Sequence, residues 1–469
     1  METWHPTLFI FLLSLSTLYH LCFSFSPVDN YLLDCGSAVD STVDNRLFIS
    51  DSSASSTRFS SSARTISISA QDHVQGLPQI YNTARVFKAP LKYEFDVEDT
   101  GTHMIRLHFH RVSSLEVDFL NSQFHVLVDG FVVLNNFSGG CLASPRVMEY
   151  LIWVNSGKLE ITFLPAKKSK FGFVNAIEVI SAPKDLILNA SQFAYVDKIE
   201  NFGELNKQAL EIVHRINVGG PKVTPFNGSL WRTWVPDDEY LKSRDGWERV
   251  YSSGRIRYQS GKSSREVCPD NVYNTARVIR SKNASIPDMN LTWEFPVTEG
   301  YTYLVRVHFC DIASSTLGTL HFNVYVNGHL AYKNLDLSDA TDYVLASPIY
   351  ADFLVDADHS GVLSLSVGPS VDSMGYAVDA ILNGVEIMKI NNSMGSLDGK
   401  VSAEWVMKKC WPRTNVGVLV PSIAVVCLLL IISMVIHRRM TNSVVWSKLP
   451  TDVLEVNPKN GKAQLSVEL

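Results

Sequence analysis

The hexapeptide Tyr81-Asn82-Thr83-Ala84-Arg85-Val86 returns unchanged as Tyr273-Asn274-Thr275-Ala276-Arg277-Val278, and this repetition constrains the fold more than any other feature of the chain. The agreement continues in order. Tyr93-Glu94-Phe95 is answered by Trp293-Glu294-Phe295, and Ile105-Arg106-Leu107-His108-Phe109 by Val305-Arg306-Val307-His308-Phe309, while the offset grows from 192 to 200 residues. Phe124 to Gly130 then matches Phe322 to Gly328, and Asn175-Ala176-Ile177-Glu178-Val179 matches Asn383-Gly384-Val385-Glu386-Ile387. A slowly drifting offset is what loop insertions produce between two copies of one domain.

Each copy types as β. Ile105, Leu107 and Phe109 alternate with Arg106, His108 and His110 at the period of a half-buried strand, and the second copy alternates in the same way. Asp129-Gly130 and Asn327-Gly328 follow alternating apolar runs and accept the positive φ of a type I′ turn, so each predicts a hairpin. Many short strands without alternating helices predict an all-β fold of two tandem antiparallel sandwiches. One stretch reads differently: Leu205, Leu210 and Val213 make a narrow apolar stripe over Leu205 to His214, and a short linker helix is expected within 197–215.

Residues 8–23 are apolar and end at the small Ser24, which predicts a signal peptide over 1–24. Val416 to Ile436 contains no charged residue, and its 21 positions make about 31 Å of helix, enough to cross a hydrocarbon core of roughly 30 Å. The expected order is a first domain over 25–196, a second over 216–392, a stalk over 393–415, a membrane helix over 416–436 and a cytosolic tail over 437–469. Sequons at Asn136, Asn189, Asn227, Asn283, Asn290 and Asn391 all precede the span, as an extracellular, glycosylated amino-terminal part requires. Four cysteines, Cys35, Cys141, Cys268 and Cys310, allow three pairings. Should the repeats fold separately, the pairing within domains is Cys35 with Cys141 and Cys268 with Cys310. Cys410 is left as an intermolecular bridge or a free thiol. The net charge of −6 is spread without a basic block, which excludes nucleic acid as partner.

The opening Tyr31-Leu32-Leu33-Asp34-Cys35-Gly36-Ser37, the stretch Asn45-Arg46-Leu47-Phe48, and the second-copy stretches Ile216-Asn217-Val218-Gly219-Gly220 and Leu230-Trp231-Arg232-Thr233-Trp234 resemble the plant malectin-like receptor kinases of the FERONIA and THESEUS group. The resemblance covers roughly residues 25 to 436. It implies two malectin-like, jelly-roll-type sandwiches on a plasma-membrane receptor with its amino terminus outside, acting in wall sensing and growth signalling. It further implies secreted RALF-type peptides or cell-wall carbohydrate as ligands, a lipid-anchored co-receptor and a partner receptor kinase. The family's kinase is the departure: phosphoryl transfer needs a Gly-rich loop, a phosphate-binding Lys and catalytic and metal-binding Asp residues on a large scaffold, and 33 residues after the span hold none of it. The chain therefore reads as a kinase-less receptor or as a truncated form, with Trp446-Ser447-Lys448-Leu449-Pro450 similar to sequence that precedes a kinase.

No catalytic motif, metal set or cofactor motif is present. His108 and His110 at i and i+2 lack a third ligand at linked spacing, so no metal is expected. Trp231, Arg232 and Trp234 suggest an aromatic platform with a polar rim, the candidate ligand site, expected near the contact of the two sandwiches. The repeated Arg85 and Arg277 are expected to be fold determinants, paired with Glu94 and Glu294. Against the receptor stand two other readings, a carbohydrate-active enzyme on a sandwich scaffold and a non-signalling decoy.

Overall fold

In the computed structural model residues 25–443 are described, except 54–56, 62–64, 72–74, 156, 168–169, 195–198, 281–288, 374–376 and 411–415. The signal segment, Asn283 and the tail from residue 444 lie outside the described residues. The alternating blocks fall on equivalent strands. Gly101–Phe109 runs antiparallel between Arg146–Val154 and Ala176–Ser181, and Thr302–Cys310 runs antiparallel between Pro348–Asp356 and Gly384–Ile390. Ile105, Leu107 and Phe109 point into one apolar core, and Val305, Val307 and Phe309 into a second. A facing sheet closes each core. In the first repeat it contains Gln123–Val128, Gly157–Pro165 and Leu91–Val97, and in the second His321–Val326, Val362–Pro369 and Leu291–Pro296. The hairpins form as the turn chemistry predicts: φ is +46° and +86° at Asp129 and Gly130, and +49° and +77° at Asn327 and Gly328.

The first departure concerns the polar face of those strands. Every residue of Gly101–Phe109 is buried, Arg106 and His108 included, where the alternation predicted a half-buried strand. The cause is that this face meets the other repeat. Met104, Leu151, Leu186 and Leu205 share one apolar cluster with Leu230, Leu304, Leu354 and Met388, a seam between the two halves. Polar residues there are engaged reciprocally. Arg106 donates to the Leu230 carbonyl at 2.8 Å, and its counterpart Arg306 donates to the Leu186 carbonyl at 2.6 Å.

The linker helix does not form. Leu205–Lys207 is a single 3-10 turn, and Leu210–Asn217 is a strand paired along its length with Gly384–Ile390. Its first residues also pair with the first repeat, Glu211 with Tyr150 and Leu210 with Leu151. Among the described residues, this joins the two inner sheets into one thirteen-stranded sheet. Ile212, Val213 and Ile216 are β-branched and suit a strand, and burial of Leu210 in the seam and Ile216 in the second core outweighs a narrow helical stripe.

The stalk is also folded, at least to Cys410. Val132 N–H donates to the Gly395 carbonyl and Leu397 N–H to the Val132 carbonyl, both at 2.9 Å, so this segment adds to the edge of the first repeat. The helix Ala403–Cys410 then buries Val406 against Leu127, Val132 and Leu164. Gly399 N–H donates to the Tyr301 hydroxyl at 2.6 Å, tying the same strap to the second repeat. The helix Val416–Ser443 belongs to a separate unit and contains the one stretch among the described residues long and apolar enough to cross a membrane, Ile423–Thr441.

Candidate functional site

The repeated Tyr-Asn-Thr-Ala-Arg block builds the same buried unit twice. Arg85 Nε lies 2.9 Å from Asp51 Oδ2, and Arg277 NH2 lies 3.0 Å from Asp237 Oδ1, so the partners are aspartates. Glu94 and Glu294, the partners expected from the repeat, instead meet Lys92 and Lys242 at the surface. The reason is strand alternation: Tyr93 and Trp293 face inward and donate to Asp51 and Asp237 at 2.9 and 2.8 Å, which turns the following glutamates outward. Each aspartate also accepts a glycine N–H, from Gly36 at 3.1 Å and Gly219 at 3.0 Å. Behind this unit, Tyr81 Oη lies 2.9 Å from His108 Nδ1, whose Nε2 lies 3.0 Å from Glu178. Tyr273, His308 and Glu386 repeat that chain at 3.1 and 3.3 Å. His108 is thus committed to structure, and no group of three metal-ligating side chains occurs among the described residues.

These carboxylates anchor an ion-pair chain across the seam. Glu178 accepts from Arg46 at 2.6 Å and from Arg106 at 3.0 Å, and Glu149 accepts from Arg106 and from Arg215, both at 2.6 Å. Arg215, on the second repeat, also reaches Glu386 at 3.0 Å. Burial would raise the Glu149 carboxyl, but the charges of Arg215 and Arg106 overturn that and hold it at about 2. Burial is likewise outweighed at Glu178 by Arg106 and His108, and at Glu386 by Arg215 and His308, so both stay well below the usual carboxylate range.

Above this chain opens a cleft of about 520 Å³ between the repeats. Its floor holds Arg46, Arg106, Arg215, Glu149 and Glu178, and its walls include Pro78, Ile80, Ile212, Pro225, Trp231 and Tyr240. The three guanidiniums pair with Glu149, Glu178 and, outside the lining, Glu386, while Asp44 adds a carboxylate to an otherwise largely aromatic and aliphatic wall. Of the three residues predicted as a ligand platform, Trp231 alone lines this cleft, its ring 5.1 Å from the Arg46 guanidinium carbon. Arg232 is buried and donates to the carbonyls of Val267 and Glu266. Trp234 is fully buried, packed edge-on to His308 with ring centres 5.4 Å apart. The three do not form a platform: alternation sends Trp234 into the core while Trp231, at φ +49°, turns to the cleft. Arg46, Tyr240 and Ile212 were missed; the alternating charges of the seam become visible only once the repeats are folded together.

The remaining expected residues are placed as follows. Asn136, Asn189 and Asn290 are exposed, whereas Asn391 is half-buried, its side chain accepting from Ala209 N–H at 2.7 Å; the side chain of Asn227 lies outside the description. Neither anticipated disulfide is present. Cys35, Cys268 and Cys310 are buried free thiols and Cys141 is an exposed one. Cys35 is buried in the first core while Cys141 sits on an exposed turn, and Cys268 and Cys310 share one apolar cluster.

Comparison with known proteins extends the picture. A family model described as the malectin-like domain matches residues 33–390. A probable receptor-like protein kinase of Arabidopsis thaliana is 46% identical over 397 residues, covering 83% of this chain and 48% of the relative. Receptor-like protein kinase THESEUS 1 of the same plant is 38% identical over 383 residues, 81% of this chain and 44% of the relative. The chain thus spans about half the length of the curated relatives it matches. Among solved structures, a chain from the crystal structure of the plant peptide RALF23 in complex with FER and LLG2 aligns at a TM-score of 0.68 and 32% identity, covering 80% of this chain and 99% of that one. The ANXUR1 extracellular domain from Arabidopsis thaliana aligns at a TM-score of 0.68 and 27% identity, covering 79% and 99%.

Proposed function

The chain belongs to the malectin-like domain family, and from that premise we propose that it is a single-pass plasma-membrane receptor protein whose extracellular half binds a secreted peptide of the RALF type together with a co-receptor. The observation that carries this reading is the near-complete match to the solved chain of the RALF23, FER and LLG2 complex, which this sequence covers over 99% of its length. The apolar helix near the carboxyl end supports a membrane anchor, and exposed sequons that all precede it support an amino terminus outside the cell. Binding is the activity this reading assigns to the scaffold: Glu149 and Glu178 in the cleft are locked in ion pairs, so neither is poised as a general acid or base. Signalling inside the cell then depends on a kinase, as the names of the longer relatives imply, whether in cis or on a partner receptor.

The test is calorimetric titration of the full chain, in lipid nanodiscs, with RALF23 peptide in the presence and absence of purified LLG2. Saturable binding that tightens with the co-receptor is expected. Absence of peptide binding in both conditions, or turnover of a cell-wall oligosaccharide by the same preparation, would refute the proposal.

A further inference from the structure

Trp231 is common to the lining of two cavities. It lines the cleft between the repeats and also a second cavity of about 420 Å³ bounded by Phe25, Pro27, Phe226 and Arg265. A bulky residue at φ +49° occupies sparsely populated backbone space, and such strain persists where surroundings hold it. Leu230 and Arg232 on either side are buried and hold the backbone, while Trp231 N–H donates to the Gly228 carbonyl at 3.0 Å and the half-buried ring rests on the Arg46 guanidinium. Arg46 contributes a second observation. Its side chain is 9% exposed, and NH1 and NH2 bond Glu178, but its Nε–H is buried with no partner. An unpaired buried donor costs about 1–3 kcal/mol unless something supplies an acceptor.

We infer that the two cavities are halves of one groove for an extended peptide segment, and that Trp231 is its movable partition. The ring leaves the guanidinium, an apolar ligand side chain takes its place, and the Arg46 Nε–H receives a main-chain carbonyl of the ligand. The chemistry favours a peptide on grounds of charge. The floor carboxylates and guanidiniums are paired, and in the second cavity Arg265 meets Asp270 at 3.2 Å while Glu266 accepts from Phe25 N–H at 3.4 Å. An anionic polysaccharide finds Arg46, Arg106, Arg215 and Arg265 already paired, and the floor carboxylates Glu149 and Glu178 are paired as well. An apolar side chain beside one amide carbonyl matches the aliphatic and aromatic lining and the unpartnered Arg46 Nε–H, and Phe226, 60% exposed, extends the apolar surface. This deepens the peptide-receptor reading above and rests on it.

The test uses the full chain in nanodiscs, with two probes and two variants. Val147 lines the cleft at 46% exposure, so Val147→Trp fills the groove with little demand on folding, and Trp231→Gly removes both the partition and the strain. N-acetyl-phenylalanine methylamide, followed by saturation-transfer NMR, is expected to bind wild type, to lose at least tenfold in Val147→Trp and to gain in Trp231→Gly; methyl galacturonoside is expected to give no signal. RALF23 peptide with LLG2 is expected to show the same order. Peptide binding that is saturable and equal in all three proteins overturns the groove while leaving the receptor reading intact. No RALF23 binding to wild type overturns the receptor reading instead, and the amide probe then decides the groove: binding lost in Val147→Trp retains it, and equal or absent binding overturns it.

Discussion

Arg215 joins the repeats through charge, donating to Glu149 of the first at 2.6 Å and to Glu386 of the second at 3.0 Å, with its side chain 8% exposed. Replacing it with Met keeps the aliphatic stem and leaves two buried carboxylates short of a partner. Breaking a buried pair from one side costs about 3–5 kcal/mol. Glu149 sits at about 2 against an ordinary 4.5, and Arg215 and Arg106 share the ~3 kcal/mol of folding free energy at neutral pH to which this corresponds. The sign follows from the depressed value. This contribution is complete above the unfolded carboxyl's range near 4.5 and is lost as pH falls towards 2. Chemical denaturation of wild type and Arg215→Met at pH 7 should therefore differ by about 3–5 kcal/mol, and the gap should shrink by more than half at pH 3. Adding Glu149→Gln to the variant should recover part of the loss. A difference below about 1 kcal/mol at pH 7, or one that does not change with pH, would refute the account of the seam.

Three further outcomes are expected. Asp237→Asn weakens the pairing with buried Arg277 and should cost about 3 kcal/mol in denaturant unfolding, whereas Glu294→Gln, whose partner Lys242 is exposed, should cost less than about 0.5 kcal/mol. Gly219→Ala places a Cβ 2.4 Å from the Ala276 carbonyl oxygen at φ +72°, and should lower stability by more than about 2 kcal/mol in a thermal melt. Glycopeptide mass spectrometry of protein from plant cells should find Asn136, Asn189 and Asn290 modified, and Asn391, with its amide engaged in the seam, unmodified.

What the sequence reveals is what lies close together along it. The β character of both repeats, the Asp-Gly and Asn-Gly hairpins and the long apolar helix near the carboxyl end each rest on a local signal, period, turn chemistry or run length, and each was legible. Contacts that close over long separations were not. Leu210–Asn217 is a strand because Gly384–Ile390 and Arg146–Val154 lie beside it, neither near it in sequence. Arg85 and Arg277 take Asp51 and Asp237, 34 and 40 residues away, over glutamates that strand alternation turns to solvent. The strap from Gly395 to Cys410 docks because Val406 meets a patch formed by the first repeat. In the candidate site, which of the aromatic residues faces the cleft depends on the backbone turn at Trp231.

Hydrogen exchange on the full chain in nanodiscs, with and without RALF23 and LLG2, tests most directly that the cleft between the repeats is where a peptide is received. The account predicts that peptide-dependent protection concentrates over residues 43–48 and 225–240. Protection confined to surfaces remote from those segments, with both of them unchanged at saturating peptide, would contradict it.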